Sequence, residues 1–337
     1  MKVKINGKYY INFNNLAISQ KLDSVASSFS FTTTFNPEDD NHKELVRPFA
    51  FHKVEIYNDE DMLFLTGVIV NQSFKSSAKP QDVSLSGYSL AGVLEDCTLA
   101  YSDYPLEMND LTLRQIIQRM IKKFGLRLYV DSSVAGLADK VYEKAVAEVD
   151  ETVKSFISKL TSQRNIILGH NPQGDLVLFR PRNTGEPRYS IIPENGIDMS
   201  LDISGQGIHS HIWMTTQPTE EDYDVERVDL AVNPMVSAFR PLVKKATSGE
   251  EVDNEPGASN VMADELKNIK FKLKLDRWLI LDCGNIIELM NPEIYLPNRT
   301  RLMVQGMQFF ENTKGRTMEI DLVLPETFSG AKIKNLF

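Results

Sequence analysis

The chain has 337 residues and little cysteine, with only Cys97 and Cys283. Two thiols cannot build a disulfide framework or a structural zinc site, and they read as buried free thiols. Long apolar runs are also missing. No stretch approaches the roughly 18 residues that a membrane helix needs, so no membrane insertion is expected. The start, Met1-Lys2-Val3-Lys4-Ile5-Asn6-Gly7, alternates at once and has no signal-peptide core, which points to cytoplasmic synthesis without export. No G-x-G-x-x-G opens a helix after a strand and no Walker sequence occurs, so no nucleotide cofactor is expected. A basic face of the kind sequence-specific DNA binders carry is lacking too. The net charge is −9. Residues 194–265 hold 15 acidic and 4 basic side chains, a net of −11, which leaves +2 for the rest. Such a segment reads as solvated loop, or as a surface that repels polyanions.

What is present begins with two units of one plan between Asp110 and Pro181. Leu113, Ile116, Ile117 and Met120 form one helical face. Phe124-Gly125 ends that helix, and Leu126, Leu128 and Val130 then alternate as a strand. Val153, Phe156, Ile157 and Leu160 repeat the stripe. Asp150 stands ahead of them, placed to cap the first turn. Ile166-Ile167-Leu168 and Leu176-Val177-Leu178-Phe179 read as a hairpin around His170-Asn171-Pro172-Gln173-Gly174.

The flanks are different. Lys2–Ile5, Tyr9–Phe13, Leu16–Ser19, Phe29–Phe35, Lys53–Tyr57, Met62–Val70 and Asp82–Gly87 read as strands, with Asn36–His42 as a polar loop. After the module come Tyr189–Ile192, Ile197–Ile203 and His209–Thr216, and a short helix is expected over Val261–Ile269. Phe271–Leu275, Ile286–Met290, Arg301–Glu311 and Thr317–Leu324 close the chain as strands. So many short strands without intervening helices predict antiparallel barrels or sandwiches. The fold class is therefore α+β, mostly β: two tube-like antiparallel β-barrel domains with an α/β insertion of helix–strand units. The expected boundaries are 1–102, 103–183 and 184–330, with the first barrel open to completion by strands after 184.

Candidate chemistry is thin. Gly87-Tyr88-Ser89-Leu90-Ala91-Gly92 has the outline of a nucleophile elbow, but Ala91 replaces its second glycine and the surroundings are antiparallel β. Ser89 is therefore given a turn role, and its replacement by alanine is expected to be nearly neutral. His209-Ser210-His211 puts two imidazoles on one strand face, half of a metal site with no third ligand at a recognisable spacing. Glu220-Glu221-Asp222 and Asp59-Glu60-Asp61 read as solvated runs rather than a catalytic carboxylate pair. Trp213 and Trp278 read as core or interface anchors. No catalytic, metal or cofactor-binding residue is assigned, and no enzyme is expected.

The order of the pieces resembles the baseplate hub proteins of contractile-tailed phages, especially the Mu-like tail hub family. The resemblance rests on four stretches. They are Val83–Cys97, with its Gly87, Ser89 and Asp96-Cys97; Leu113–Val130, with its Phe-Gly; Asp150–Ile157 through Gln163-Arg164 to Asp175–Leu178; and Leu279–Pro292 with Leu302–Met307 and Thr317–Phe328. Cys283-Gly284-Asn285 stands where the family tends to have Pro-Gly-Asp, and glycine keeps the turn possible. Arg240-Pro241 matches the start of the family's long crossover.

The resemblance implies a structural role in the virion tail baseplate, with assembly in the host cytoplasm. It implies a ring-shaped homotrimer whose paired barrels adapt a sixfold tail tube to a threefold central spike. The implied partners are further copies of the chain, the spike, the tube, surrounding baseplate proteins, and DNA that passes without specific binding. The lumen is expected to carry net negative side chains, drawn partly from Glu194–Asp229, so that phosphates are repelled rather than held. Asp198 and Asp202, alternating with Ile197, Met199, Leu201 and Ile203, are the residues expected to face it. The alternative class is a cell-envelope polymer hydrolase on the tail tip, using Ser89 or a carboxylate pair.

Overall fold

Alternation of apolar and polar residues organises most of this protein into one sheet. The computed structural model describes residues 1–76, 82–182, 185–215, 227–245, 257–329 and 332–337. The N-terminal strands are β1 (Lys2–Ile5), β2 (Lys8–Tyr10), β3 (Asn14–Lys21), β4 (Ser28–Thr34), β5 (Lys53–Tyr57), β6 (Leu63–Lys75) and β7 (Asp82–Ser89). A helix α1 (Asp40–Leu45) lies between β4 and β5, where the sequence reads as loop, and Asp39 caps it through Asn41 N and His42 N. The chain then makes a short helix α2 (Val93–Asp96).

The middle module holds β8 (Leu111–Thr112), α3 (Leu113–Ile121), β9 (Leu128–Val130), α4 (Ala135–Ala138), β10 (Val141–Tyr142), α5 (Val153–Gln163), β11 (Ile167–His170) and β12 (Leu176–Phe179). Both predicted helices form, and each buries the predicted stripe. Thr112 and Gln115 close a reciprocal capping box on α3. Gly125 takes the left-handed conformation just past its end, at φ 68°. On α5 the expectation is corrected. Thr152, not Asp150, is the cap, its Oγ1 accepting from Ser155 N at 3.2 Å. Asp150 stands two residues ahead of the cap, too early to reach the free amides. β12 pairs β11 antiparallel and β9 parallel, so the two helix–strand units share one small sheet. Its core gathers Ile117, Phe156, Ile157, Leu176 and Leu178 with Val25 and Leu94 from outside the module.

The C-terminal strands are β13 (Ser190–Ile191), β14 (Ile197–Ile203), β15 (His211–Thr215), β16 (Arg227–Val232), β17 (Pro241–Lys245), β18 (Ile269–Leu275), β19 (Ile286–Asn291), β20 (Leu296–Asn312) and β21 (Gly315–Val323). Helices α6 (Ala258–Glu265) and α7 (Glu326–Ser329) complete the list. α6 starts three residues before the predicted helix, and the helical segment stops short of Ile269 because β18 begins there.

The flanks join. A single path of paired strands runs β14-β18-β21-β20-β3-β4-β7-β6-β5-β1-β2, with β13 and β19 attached to β20. The mostly β, α+β class is thus observed, as a large curled antiparallel sheet. Phe29, Phe31 and Phe271, each at most 2% exposed, lie in one apolar cluster that draws on both flanks. Burying each such ring contributes roughly 1.5–3 kcal/mol.

The path repeats a four-strand plan. β3-β4-β7-β6 and β14-β18-β21-β20 have the same order, and each ends on a long strand. The first half of that long strand pairs a hairpin partner, β5 or β19, and the second half pairs β7 or β21. Both long strands bulge at the changeover, between Ile69 and Asn71 and between Val304 and Gly306. Near the first bulge, Gly87 is needed. A Cβ there would stand 1.8 Å from the Val68 carbonyl oxygen. The halves are also clamped by charge. Arg316 and the Met1 amine both bond Asp59, whose carboxyl is held down to about 2, first by Arg316. The turn at Gly284 survives the departure from Pro-Gly-Asp, with φ 89°.

Candidate functional site: the polar face of the sheet

Eight strands of this sheet turn mostly apolar side chains inward and mostly polar ones outward. Strand register puts the outward side chains in rows. One row runs Asp198, Lys274, Glu319, Gln308, Ser19, Ser28, Tyr88. A second runs Phe310, Ala17, Ser30, Ser86, Asn71. A third joins Thr32, Ser84 and Ser73. In the N-terminal half the face is therefore hydroxyl and amide. Hydroxyls and amides carry no net charge, so over these groups phosphates meet no cation.

The C-terminal half carries charge in columns. Asp198 and Asp202 lie on the exposed side of β14, as the alternation predicts. Directly opposite on β18 stand Lys274 and Lys270, with Lys272 between them. Beyond these, β21 offers Glu319 and Asp321, and Lys274 reaches Glu319 at 3.4 Å. With Lys21, Lys75 and Asp82 from the other half, lysines and carboxylates on this face balance. The acids singled out in the sequence are thus matched by lysines, a pairing that only the fold creates. Each opposed pair contributes about 0.2–1 kcal/mol. Glu220, Glu221 and Asp222 lie outside the described residues.

Two edges of this face are open among the described residues. β14 pairs only β18. β6 pairs β7 along Gly67–Lys75, but β5 covers only Leu63–Val68 on its other side. Inward-facing apolar groups surface at both edges, Ile203 at 51% exposed and Phe74 at 44%.

Ser89 is not an exposed nucleophile. It is fully buried, and its Oγ accepts a hydrogen bond from Ser27 N at 3.1 Å. Ser89 N in turn donates to Ser27 O at 2.8 Å. The expectation that alanine would be neutral there is corrected, because the hydroxyl satisfies a buried amide. Ser27 Oγ also bonds His170 Nε2 at 2.7 Å. His170 Nδ1 lies 3.1 Å from the Asn171 carbonyl oxygen. A carbonyl only accepts, so Nδ1 carries the proton and Nε2 accepts from Ser27. Burial lowers the His170 pKa. This chain of bonds pins the β11–β12 hairpin to the sheet where β4 meets β7. Sequence reading left His170 as a turn residue, since nothing local marks a contact 143 residues away.

His209 and His211 take different partners. His209 bonds Glu265 at 2.7 Å, whereas His211 bonds Ser210 and stacks on Trp213 with ring centroids 5.3 Å apart. Among the described residues no three metal-ligating side chains converge. Trp278 donates to the Thr317 carbonyl and packs edge-on against Phe309. Tyr88, on the polar face, donates to Asp96 at 2.6 Å. Cys97 and Cys283 are free but only half-buried, which corrects the expectation of buried thiols, and the Cys283 thiol is pushed up to about 12, chiefly by desolvation. No described helix is long and apolar enough to cross a membrane.

Residues 91–180 match the family model of the baseplate hub protein gp44-like, second domain. That stretch holds α2 and the helix–strand module. The whole fold is similar to solved tail proteins. One is the 43 kDa tail protein of prophage MuSo2 from Shewanella oneidensis, with TM-score 0.80, 17% identity, and 97% of this chain and 98% of that one covered. A second is the tail protein of Neisseria meningitidis MC58, with TM-score 0.77, 16% identity and 98% of both chains covered. A third is the E. coli c3393 protein, a component of the type VI secretion system described as structurally similar to the T4 tail proteins gp27 and gp5. It has TM-score 0.61 and 10% identity, with 100% of this chain and 80% of that one covered. No curated protein sequence matches the chain. The resemblance to tail hub proteins read from the four motifs is thus met by a baseplate hub domain family over residues 91–180 and by a fold shared with solved prophage tail proteins.

Proposed function

We propose that the chain is the structural hub of a contractile-tail baseplate. Three copies form a ring that adapts a sixfold tail tube to a threefold central spike and lets DNA pass. The observation that carries this reading is the repeated four-strand plan within one continuous sheet. A chain with two equivalent units turns three subunits into six similar positions, which is what a threefold-to-sixfold adaptor needs. The hub domain family of residues 91–180 supports the same assignment. The division at 1–102, 103–183 and 184–330 goes with it, the middle segment being the insertion.

The polar face is the wall of the lumen in this reading, with Asp198 and Asp202 on it. Its lining is charge-balanced. A duplex then meets hydroxyls and neutralised columns, and it is neither held nor strongly repelled beyond the 8–10 Å reach of a charge at physiological salt. The spike, the tube and the surrounding baseplate proteins are the remaining partners. A hydrolase on the tail tip finds no support in a serine that is 0% exposed and bonded to a backbone amide.

Native mass measurement with negative-stain imaging tests the proposal. The expected species has three times the 38.2 kDa of one chain and a central opening. A monodisperse monomer or dimer at tens of micromolar would refute the ring.

A further inference from the structure

The β1–β2 hairpin leaves a strand edge free beside a cleft. Asn6 and Gly7 form its two-residue turn, left-handed at φ 49° and 77°, with Ile5 opposite Lys8. Residues flanking such a turn exchange both backbone hydrogen bonds, and bonded pairs then alternate with unbonded ones along the ladder. The amides of Lys8 and Tyr10 are therefore spent on β1, and the N–H and C=O of Tyr9 point away from it. Among the described residues β2 pairs only β1. A cleft of about 880 Å³ runs along this edge, lined by residues 8–14 on one side and by α1 with the residues leading into it on the other. We propose that an extended segment of another protein docks here as an added strand on β2, with an acidic residue next to an apolar one in its sequence. Such a site goes beyond the hub reading and does not depend on the ring.

The floor of the cleft is fixed in advance. Asn36 N donates to His42 Nδ1 at 3.1 Å, so in the neutral ring Nε2 carries the proton, and it donates to the Tyr10 hydroxyl oxygen at 3.1 Å. The Tyr10 hydroxyl donates to Thr33 Oγ1, which donates to the Asn12 carbonyl at 2.6 Å. Each of these groups is committed within the chain, and a site that needs no rearrangement costs a ligand little ordering. What stays uncommitted suits a polypeptide backbone. Asn12, Asn14 and Asn41 line the cleft, and among the described residues their carboxamides make no hydrogen bond. Each offers a donor and an acceptor, the same pair that a peptide group presents.

Charge and exposure set the chemistry of the segment. Around the cleft Lys43, Arg47 and Lys53 are paired with Asp40, Glu44 and Glu55, and Asp39 is spent on the cap of α1. Lys8 stands exposed on the free edge and has no ion-pair partner among the described residues. The residue that an added strand sets opposite it should therefore be acidic. Tyr9 points to the other face and is 58% exposed, and Ile11, two residues on, is 83% exposed. The residue opposite Tyr9 meets both and should be apolar. A lysine on an edge strand is also a means of blunting unwanted pairing. The apolar groups beside this one favour a partner, because a blunted edge gains nothing from an exposed Ile11. Phe49 and Phe51, close after α1, are more than half exposed as well, on backbone held left-handed at φ 59° and 49°, a conformation that bulky residues adopt only under constraint. A saccharide would use the carboxamides but leave Ile11 and the Tyr9 amide unmet.

Peptide probes on the full chain test the site. Fluorescein-labelled Val-Thr-Val-Glu-Val-amide and its counterpart with Lys in place of Glu are titrated by fluorescence polarisation, with maltoheptaose as a competitor. The acidic probe should bind with Kd below about 1 mM and about tenfold tighter than the lysine probe. At saturation it should slow hydrogen exchange in peptides covering residues 8–14. Lys8→Glu should reverse the preference between the two probes. Tyr9→Pro removes the outward N–H without touching a β1 hydrogen bond and should abolish binding, whereas Tyr9→Phe should keep it. Equal affinity for the two probes, binding that leaves residues 8–14 unprotected, full binding by Tyr9→Pro, or no binding at about 1 mM would each overturn the proposal. Displacement by maltoheptaose would overturn it in favour of a saccharide. Slowed exchange on concentrating the chain without probe would overturn it in favour of a second copy.

Discussion

Replacing Ser89 with alanine separates a structural serine from a catalytic one. The side chain is fully buried, and its Oγ is the acceptor for Ser27 N at 3.1 Å. Ser27 is itself 2% exposed, so water does not take over. Removing one partner leaves a buried amide donor unsatisfied, which costs about 1–3 kcal/mol. The vacated volume is a single oxygen, so cavity terms add little. The loss falls on the seam where β4, β7 and the His170 hairpin meet, and the hairpin should loosen before the distant strands do. Hydrogen exchange read by mass spectrometry on peptides covering Ser27 and 167–179 measures it directly. Their protection should fall by one to two powers of ten, while β18 and β21 stay unchanged. Unchanged protection at Ser27 would refute the reasoning. Loss of a peptidoglycan- or ester-cleaving activity with the fold intact would refute the non-enzymatic reading.

Acidification should act at the same seam. The folded state lowers the His170 pKa below its unfolded value, so its contribution is complete above about pH 6.5 and is lost as pH falls from there through the folded pKa. The slope approaches at most about 1.4 kcal/mol per pH unit, and His170→Gln should remove it in urea titrations at stepped pH. An equal slope in the variant would exclude His170 as the source. Thr152→Ala should destabilise α5 by about 0.5–2 kcal/mol, whereas Asp150→Ala should change stability little. Chemical denaturation of the two variants compares them, and the reverse order would contradict the cap assignment. Cys283, with its thiol pushed up to about 12, should resist iodoacetamide at pH 8 until the chain is unfolded. Mass mapping of the alkylated site in native protein checks this.

Local pattern determined a good deal by itself. The stripes Leu113–Met120 and Val153–Leu160 repeat at helical spacing, and they form the helices because spacing alone selects the face that is buried. Period-two alternation set most strands of both flanks, and with them the mostly β class. It also put Asp198 and Asp202 on the exposed side of β14, since successive side chains on a strand point to opposite faces. The same alternation in Ser28-Phe29-Ser30-Phe31-Thr32 already carried the polar wall, although nothing in it said which strand would lie alongside.

Partnership between strands was left to the tertiary structure. Lys270 and Lys274 oppose Asp202 and Asp198 of β14 across about 70 residues of sequence, and no periodicity reaches that far. The joining of the two flanks through β20 and β3 spans nearly the whole chain. Ser27, Ser89 and His170 are similarly distant, and each looks like an ordinary turn or strand residue until the hairpin docks. Even the cap of α5 depended on where the chain bends: a side chain must sit at the last extended residue to reach the free amides, and only the backbone shows that this residue is Thr152. Side-chain period is a local property of φ and ψ and is written in neighbouring residues. Register, edge and charge pairing are relations between distant segments, and they are settled when burying the common core brings those segments together.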